Sequence, residues 1–189
     1  MKAQNRAGCF AVGVVFAVHA EHVDSIEPTL KGSIRCQAAI QFIPEREKAV
    51  REMYRALKPG GCIGMNVFRT AEHNPAFNYL IAALERHAGP KAAAFMRTPF
   101  VMDSVTGIRT LFEQAGFVDT CVVIRIETVR YPSVSHLVQF ETMNIPDTEI
   151  RKEAMQEEIT HEMEELVEAH VNDHGVVFPG QDFVVVAKR

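Results

Sequence analysis

Apolar and polar positions fall into short blocks along this chain, and the blocks change period. Ile34 to Ile43 (IRCQAAIQFI) is apolar and reads as a strand that ends near Gln37. Pro44 suits a first helical turn, and Val50, Met53, Tyr54 and Leu57 then recur at helical spacing, so a helix is expected to about Leu57. Lys58-Pro59-Gly60-Gly61 stops it in a tight turn, where glycines take positive φ at little cost. Cys62 to Phe68 (CIGMNVF) is a near-continuous apolar strand, the pattern of a sheet covered on both faces.

The second half continues in the same way. A helix is expected from Asn74-Pro75 to His87, with Asn74 as its N-cap, and a short one over Lys91–Met96. Another is expected over 105–115, capped by Asp103 or Ser104 and ended by Gly116. Cys121–Arg130 (CVVIRIETVR) is β-branched and reads as a strand. A helix follows from Pro132-Ser133 to about Met143. The longest is expected over 147–171, with Ile150, Ala154, Ile159, Met163, Leu166, Val167 and Val171 on one face. Gly175–Pro179 reads as a turn and Phe183–Ala187 as a closing strand. Strand and helix alternate, so the fold class is α/β with a mostly parallel sheet.

Composition narrows the function classes. The chain has 189 residues and a formal charge of −4, which argues against a nucleic-acid binder working through a basic surface. Cys9, Cys36, Cys62 and Cys121 lie far apart with no C-x-x-C pair, so neither a disulfide framework nor a zinc site is expected, and a reduced, cytoplasmic setting is. Residues 7–20 (AGCFAVGVVFAVHA) follow Lys2 and Arg6. The run is shorter than the ~20 apolar residues of a membrane span. It fits a signal peptide or a buried strand, and its valines favour the strand, over 10–18.

The runs CQAAIQF (36–42), REMYRALKPGG (51–61), NVFR (66–69), HNPAF (73–77), LFEQAGF (111–117) and FVVVAKR (183–189) resemble, in order and spacing, the class I Rossmann-like S-adenosylmethionine-dependent methyltransferases. The resemblance covers about residues 34–189 and corresponds to the C-terminal part of that fold. It implies a partial methyltransferase sheet, mostly parallel with an antiparallel terminal strand, plus a helical lid. The Ile34 strand would be the family's fourth. Cys36 and Gln37 would then sit beside the cofactor, S-adenosylmethionine, and Gln41 where the donor methyl meets the acceptor. The organisation expected is an atypical leader over 1–33, a partial core over 34–131, a lid-like insertion over 132–175 and a terminal core strand within 176–189.

Other family features are missing. The glycines before residue 60 are Gly8, Gly13 and Gly32, with no G-x-G spacing, and Gly32-Ser33-Ile34-Arg35 stands where the family has an acidic residue. Glu21 and Asp24 are candidates for the donor's ribose. Two readings follow. One is a methyltransferase acting on a small molecule and lacking the glycine-rich donor loop. The other is a non-catalytic, truncated, methyltransferase-like module that dimerises or binds a small molecule. A homodimer is expected, because a sheet starting at the Ile34 strand leaves an edge to be paired. Asp147–Glu168 holds nine acidic and two basic residues, which reads as a solvated helix face or as an acidic lid selecting a cationic acceptor. His170 and His174, four apart, could share a helix face. Ser33 and Ser104 lack a nucleophile-elbow context.

Overall fold

The first strand, β1, runs from Lys31 to Gln37. In this computed structural model residues 31–189 are described; the apolar run 10–18, Glu21 and Asp24 lie outside them. A 3-10 turn (Ile40–Phe42) and helix α1 (Arg46–Ala56) carry the chain over to β2 (Leu57–Phe68). β1 and β2 pair in parallel, with Ser33 opposite Cys62 and Gln37 opposite Asn66. The strand begins directly at the end of α1, so Lys58-Pro59-Gly60-Gly61 belongs to β2 instead of preceding it. Gly60 has φ +75°, and a Cβ on Gly61 would lie 2.8 Å from the Lys58 carbonyl oxygen, so both positions require glycine.

β3 (Val118–Tyr131) and β5 (Gly175–Lys188) complete the sheet in the order β1-β2-β5-β3. β5 is antiparallel to β2, with Cys62 opposite Lys188 and Phe68 opposite Asp182. Lys188 Nζ reaches Asp119 Oδ2 at 3.2 Å and Arg125 reaches Asp182, so β3 also runs opposite to β5. β1, β2 and β3 therefore share one direction and the terminal strand opposes them. This is the α/β, mostly parallel sheet with an antiparallel terminal strand that the sequence led us to expect.

The chain divides into two units. One comprises residues up to Phe68, Met102–Arg125 and Asp182–Arg189. Its core is formed by Ile34, Ile40, Val50, Met53 and Ile63 with Ile108 and Phe112 of α4 (Val105–Gln114) and Phe183. Each large aliphatic or aromatic side chain so buried contributes roughly 1.5–3 kcal/mol. Ser104 caps α4, accepting from Gly107 N at 3.0 Å. The helix ends where Phe117 N bonds Phe112 O and Gly116 N bonds Glu113 O, with Gly116 at φ +99° against the Tyr54 ring.

The other unit comprises Arg69–Val101 and Ile126–Gln181. It holds α2 (Pro75–His87), α3 (Pro90–Arg97), α5 (Val134–Thr142), α6 (Glu153–Leu166) and a hairpin of β4 (Val171–Asn172) with the start of β5. Residues 69–101, expected within a continuous 34–131 stretch, thus cluster with the lid-like segment. The reason is packing: Leu80, Ile81 and Leu84 of α2 are buried in the same unit as Ile159 and Met163 of α6. Arg86 and His87 also bond Glu162 at 2.7 Å each.

Three local expectations change. Asn74 makes no side-chain cap; it is buried and bonds Arg69 O, Thr70 O and both backbone groups of Gln181. The helix expected over 147–171 is broken into a 3-10 turn (Thr148–Arg151), α6 and a second 3-10 turn (Glu168–His170). Lys152 is extended there, because Arg151 turns back onto the Ile145 carbonyl at 2.8 Å and Gln156 onto Ile150. Of the expected face, Ile150, Ile159, Met163 and Val167 are buried, while Ala154 and Val171 are exposed. Finally, the turn expected over 175–179 is only Asp173-His174, since Val176 already pairs with Val171.

Glu141 on α5 accepts from the Tyr131 hydroxyl at 2.7 Å. Burial pushes its carboxyl pKa up, and the Tyr131 hydrogen bond opposes this only in part. A carboxyl with a raised folded-state pKa adds stability below its unfolded pKa, and that stability is lost as pH rises through the folded value. Glu141→Gln mimics the protonated form. Its stability relative to wild type is expected to rise between pH 5 and pH 8 in urea titrations; an equal difference at both pH values would refute this.

Candidate functional site

The carboxyl ends of β1 and β2 are where an open α/β sheet places ligands. β1 stops there because Ala38 turns into the left-handed region, at φ +45°, while its N–H still bonds Asn66 O at 3.0 Å. An alanine in that conformation costs about 1–2 kcal/mol, so the turn is held by its surroundings. Strain of this kind concentrates at functional sites.

The three expected site residues flank this turn, Cys36 and Gln37 at the end of β1 and Gln41 in the 3-10 turn after it, in different settings. Cys36 is buried in the core, and desolvation pushes its thiol pKa up, partly offset by the backbone N–H groups of Ile40 and Ala39. The neutral thiol packs, so Cys36 can meet a ligand only through its backbone. Gln37 is exposed on the opposite face of β1. Gln41 is only 1% exposed, and neither Nε2 nor Oε1 of its carboxamide has a hydrogen-bond partner among the described residues. The Arg46 guanidinium donates to the Gln41 backbone carbonyl at 3.3 Å.

A polar cluster that sequence reasoning missed lies one strand away. Asp182 is fully buried and bound by Arg125 through two bonds, Nε to Oδ1 at 2.9 Å and Nη2 to Oδ2 at 2.6 Å. Asn66 Nδ2 donates to the same carboxylate at 3.1 Å. The carboxylate thereby fixes the Asn66 amide and turns its Oδ1 away from Asp182. Asn66, Arg125 and Asp182 come from three strands, so no local spacing links them. The available signal was a lone aspartate directly before the apolar FVVVA run.

The remaining candidates have structural settings. His170 stacks near Phe178, with centroids 4.5 Å apart, and its Nδ1 lies 3.2 Å from Val177 O. His174 sits in the exposed hairpin turn, its N–H on Asn172 Oδ1. No group of three or more His, Cys, Asp or Glu side chains that could hold a metal occurs among the described residues. Most carboxylates of α6 are exposed; Glu162 is drawn onto Arg86 and His87, and Glu158 also faces His87 Nδ1 at 3.5 Å. A cavity of about 610 Å³ lies between α5 and α6, lined by Gln139, Thr142, Gln156, Glu157 and Glu164 among others. No helix among the described residues is long and apolar enough to cross a membrane.

A sequence model described as a methyltransferase domain matches residues 12–65, which span β1, α1 and most of β2. The chain resembles the class I S-adenosylmethionine-dependent methyltransferases. The match begins at Val12, inside the stretch expected to be an atypical leader. No curated protein matches in sequence. Among solved structures, the YcgJ protein of Bacillus subtilis superposes with a TM-score of 0.51 at 13% identity, over 85% of this chain and 64% of its own. This chain therefore spans less than two thirds of that protein's length. A SAM-dependent methyltransferase from Archaeoglobus fulgidus gives 0.44 at 16% identity, over 93% of this chain and 67% of its own. Phosphoethanolamine N-methyltransferase 2 of Haemonchus contortus, in complex with S-adenosyl-L-methionine, gives 0.40 at 17% identity, over 86% and 34%.

Proposed function

We propose that this chain is an S-adenosylmethionine-dependent methyltransferase acting on a small molecule, with its donor site at the carboxyl ends of β1 and β2. The observation that carries the reading is the Gln41 carboxamide, buried and unpartnered beside the strained Ala38 turn. A buried amide without partners costs about 1–3 kcal/mol per group, and a ligand carrying donors and acceptors removes that cost. The residues fit the donor in this respect. Gln37 and Gln41 would hold it with their side chains, and Cys36 and Ala38 would border it with backbone. When bound, the donor supplies an electrophilic methyl group on a sulfonium sulfur.

The chain's own contribution is alignment and exclusion of water, which is most of what an in-line displacement needs. Gln41 orients the reacting groups and Phe42, half exposed, shields them. Asn66, held by Asp182, offers an acceptor oxygen for a proton on the attacking atom. Calorimetric titration with S-adenosylmethionine and S-adenosylhomocysteine tests the reading. Saturable binding that Gln41→Ala weakens supports it, and no heat at near-millimolar ligand overturns it.

A second reading, the dimerising module, is favoured by β3. Val118, Val123 and Ile124 are 58%, 50% and 43% exposed on a strand at the end of the sheet order. Long apolar edges invite pairing with another chain. Sedimentation equilibrium distinguishes the two states of assembly, and a monomer at micromolar concentration would remove the homodimer.

A further inference from the structure

Three buried polar atoms without partners fall within one short stretch: Gln41 Nε2, Gln41 Oε1 and Arg46 Nε. Gln41 lies in the 3-10 turn after β1, and Arg46 is the first residue of α1. The bond from Arg46 Nη2 to the Gln41 carbonyl ties the guanidinium to that turn. Nε and Nη2 belong to one rigid planar group, so the unused Nε–H sits at the same place. The carboxylates beside Arg46 in sequence are directed elsewhere. Glu45 faces Lys48 at 3.7 Å and Glu47 faces Arg51 at 3.8 Å. Among the described residues no carboxylate pairs with Arg46.

A part-buried guanidinium with an unused donor, tied to the backbone of a residue whose buried amide has no partner among the described residues, calls for further acceptor atoms. A group with several anionic oxygens supplies them, because it matches the guanidinium fork and can also accept from Gln41 Nε2. Gln41 Oε1 is left for the donor, as in the reading above. We propose that Arg46 and Gln41 form a subsite for an oxyanion, a carboxylate or a phosphate, carried by the methyl acceptor. Naming the acceptor as occupant rests on the methyltransferase reading above; the anion site itself does not.

The test is thermal unfolding of the full chain at constant ionic strength, with inorganic phosphate, with succinate, or with sodium chloride alone. A saturable rise in Tm with phosphate only assigns a phosphate group, with succinate only a carboxylate, and with both an unselective oxyanion site. Arg46→Gln is expected to weaken the apparent affinity about ten-fold or more. Arg46→Lys keeps the charge but loses the fork, and weakens it less. No saturable rise beyond chloride overturns the proposal, and so does an unchanged affinity in Arg46→Gln. Should that variant fail to fold, an unchanged affinity in Arg46→Lys overturns it instead. S-adenosylhomocysteine is titrated separately: anion binding without it keeps the anion site and removes the acceptor assignment.

Discussion

Gln41→Met is expected to raise the stability of the chain by about 2 kcal/mol and to abolish whatever binding of the proposed methyl donor and of oxyanions the wild type shows. The side chain is nearly without solvent access and makes no hydrogen bond through either amide atom. Each unsatisfied buried group costs about 1–3 kcal/mol, and an unbranched apolar side chain of similar length removes two of them without opening a cavity. Stability gained together with binding lost is the mark of a residue kept for a ligand. Urea unfolding of the two proteins measures the first effect and calorimetry the second. A loss of more than about 1 kcal/mol on substitution would mean that the amide is paired by water, and the functional argument for Gln41 would fall.

The second large effect is expected at Asp182. Asp182→Ala should lower stability by about 3 kcal/mol, read as a shift in the urea midpoint with an unchanged slope. The carboxylate is fully buried and takes two bonds from Arg125 and one from Asn66, which joins β2, β3 and β5 at one point. Arg125 is 49% exposed, so its charge is rehydrated when the partner is lost, and this keeps the cost at the low end for a buried pair. The double variant Arg125→Ala/Asp182→Ala should lose less than the sum of the single losses, because both remove the same bonds. Strict additivity would show that the ion pair contributes nothing. On the methyltransferase reading, substitution of Asp182 should also slow methyl transfer more than it weakens donor binding, since Asn66, opposite Gln37 in the register, then loses what orients its amide.

How much of this was legible in the sequence differs by element. The helices at 46–56, 75–87 and 105–114 follow from apolar periodicity with Pro, Gly and Ser punctuation, which are local properties. The Gly116 cap and the Ser104 cap follow for the same reason. The long helix over 147–171 was misread because its apolar positions keep helical spacing across Lys152, while Arg151 and Gln156 bend the backbone through contacts that spacing does not record. The early start of β5 was missed because Pro179 and Gly180 look like turn residues. In the folded chain Gly180 is buried against Val129, where a side chain would not fit.

The candidate site divides along the same line. Cys36, Gln37 and Gln41 became candidates through the resemblance carried by CQAAIQF and the runs after it, and their closeness in the chain keeps them near the carboxyl end of β1. That Cys36 points into the core, that Gln41 is left without a partner, and that residues 69–101 gather with 126–181 are outcomes of packing. The sequence by itself therefore determined the α/β alternation and the caps at Ser104 and Gly116, since these depend on periods and neighbours a few residues apart. Only the tertiary structure decided the Asn66–Asp182–Arg125 network and the unused Arg46 and Gln41 donors. Those depend on which groups, 5 to 116 residues apart, meet in a space from which water is excluded.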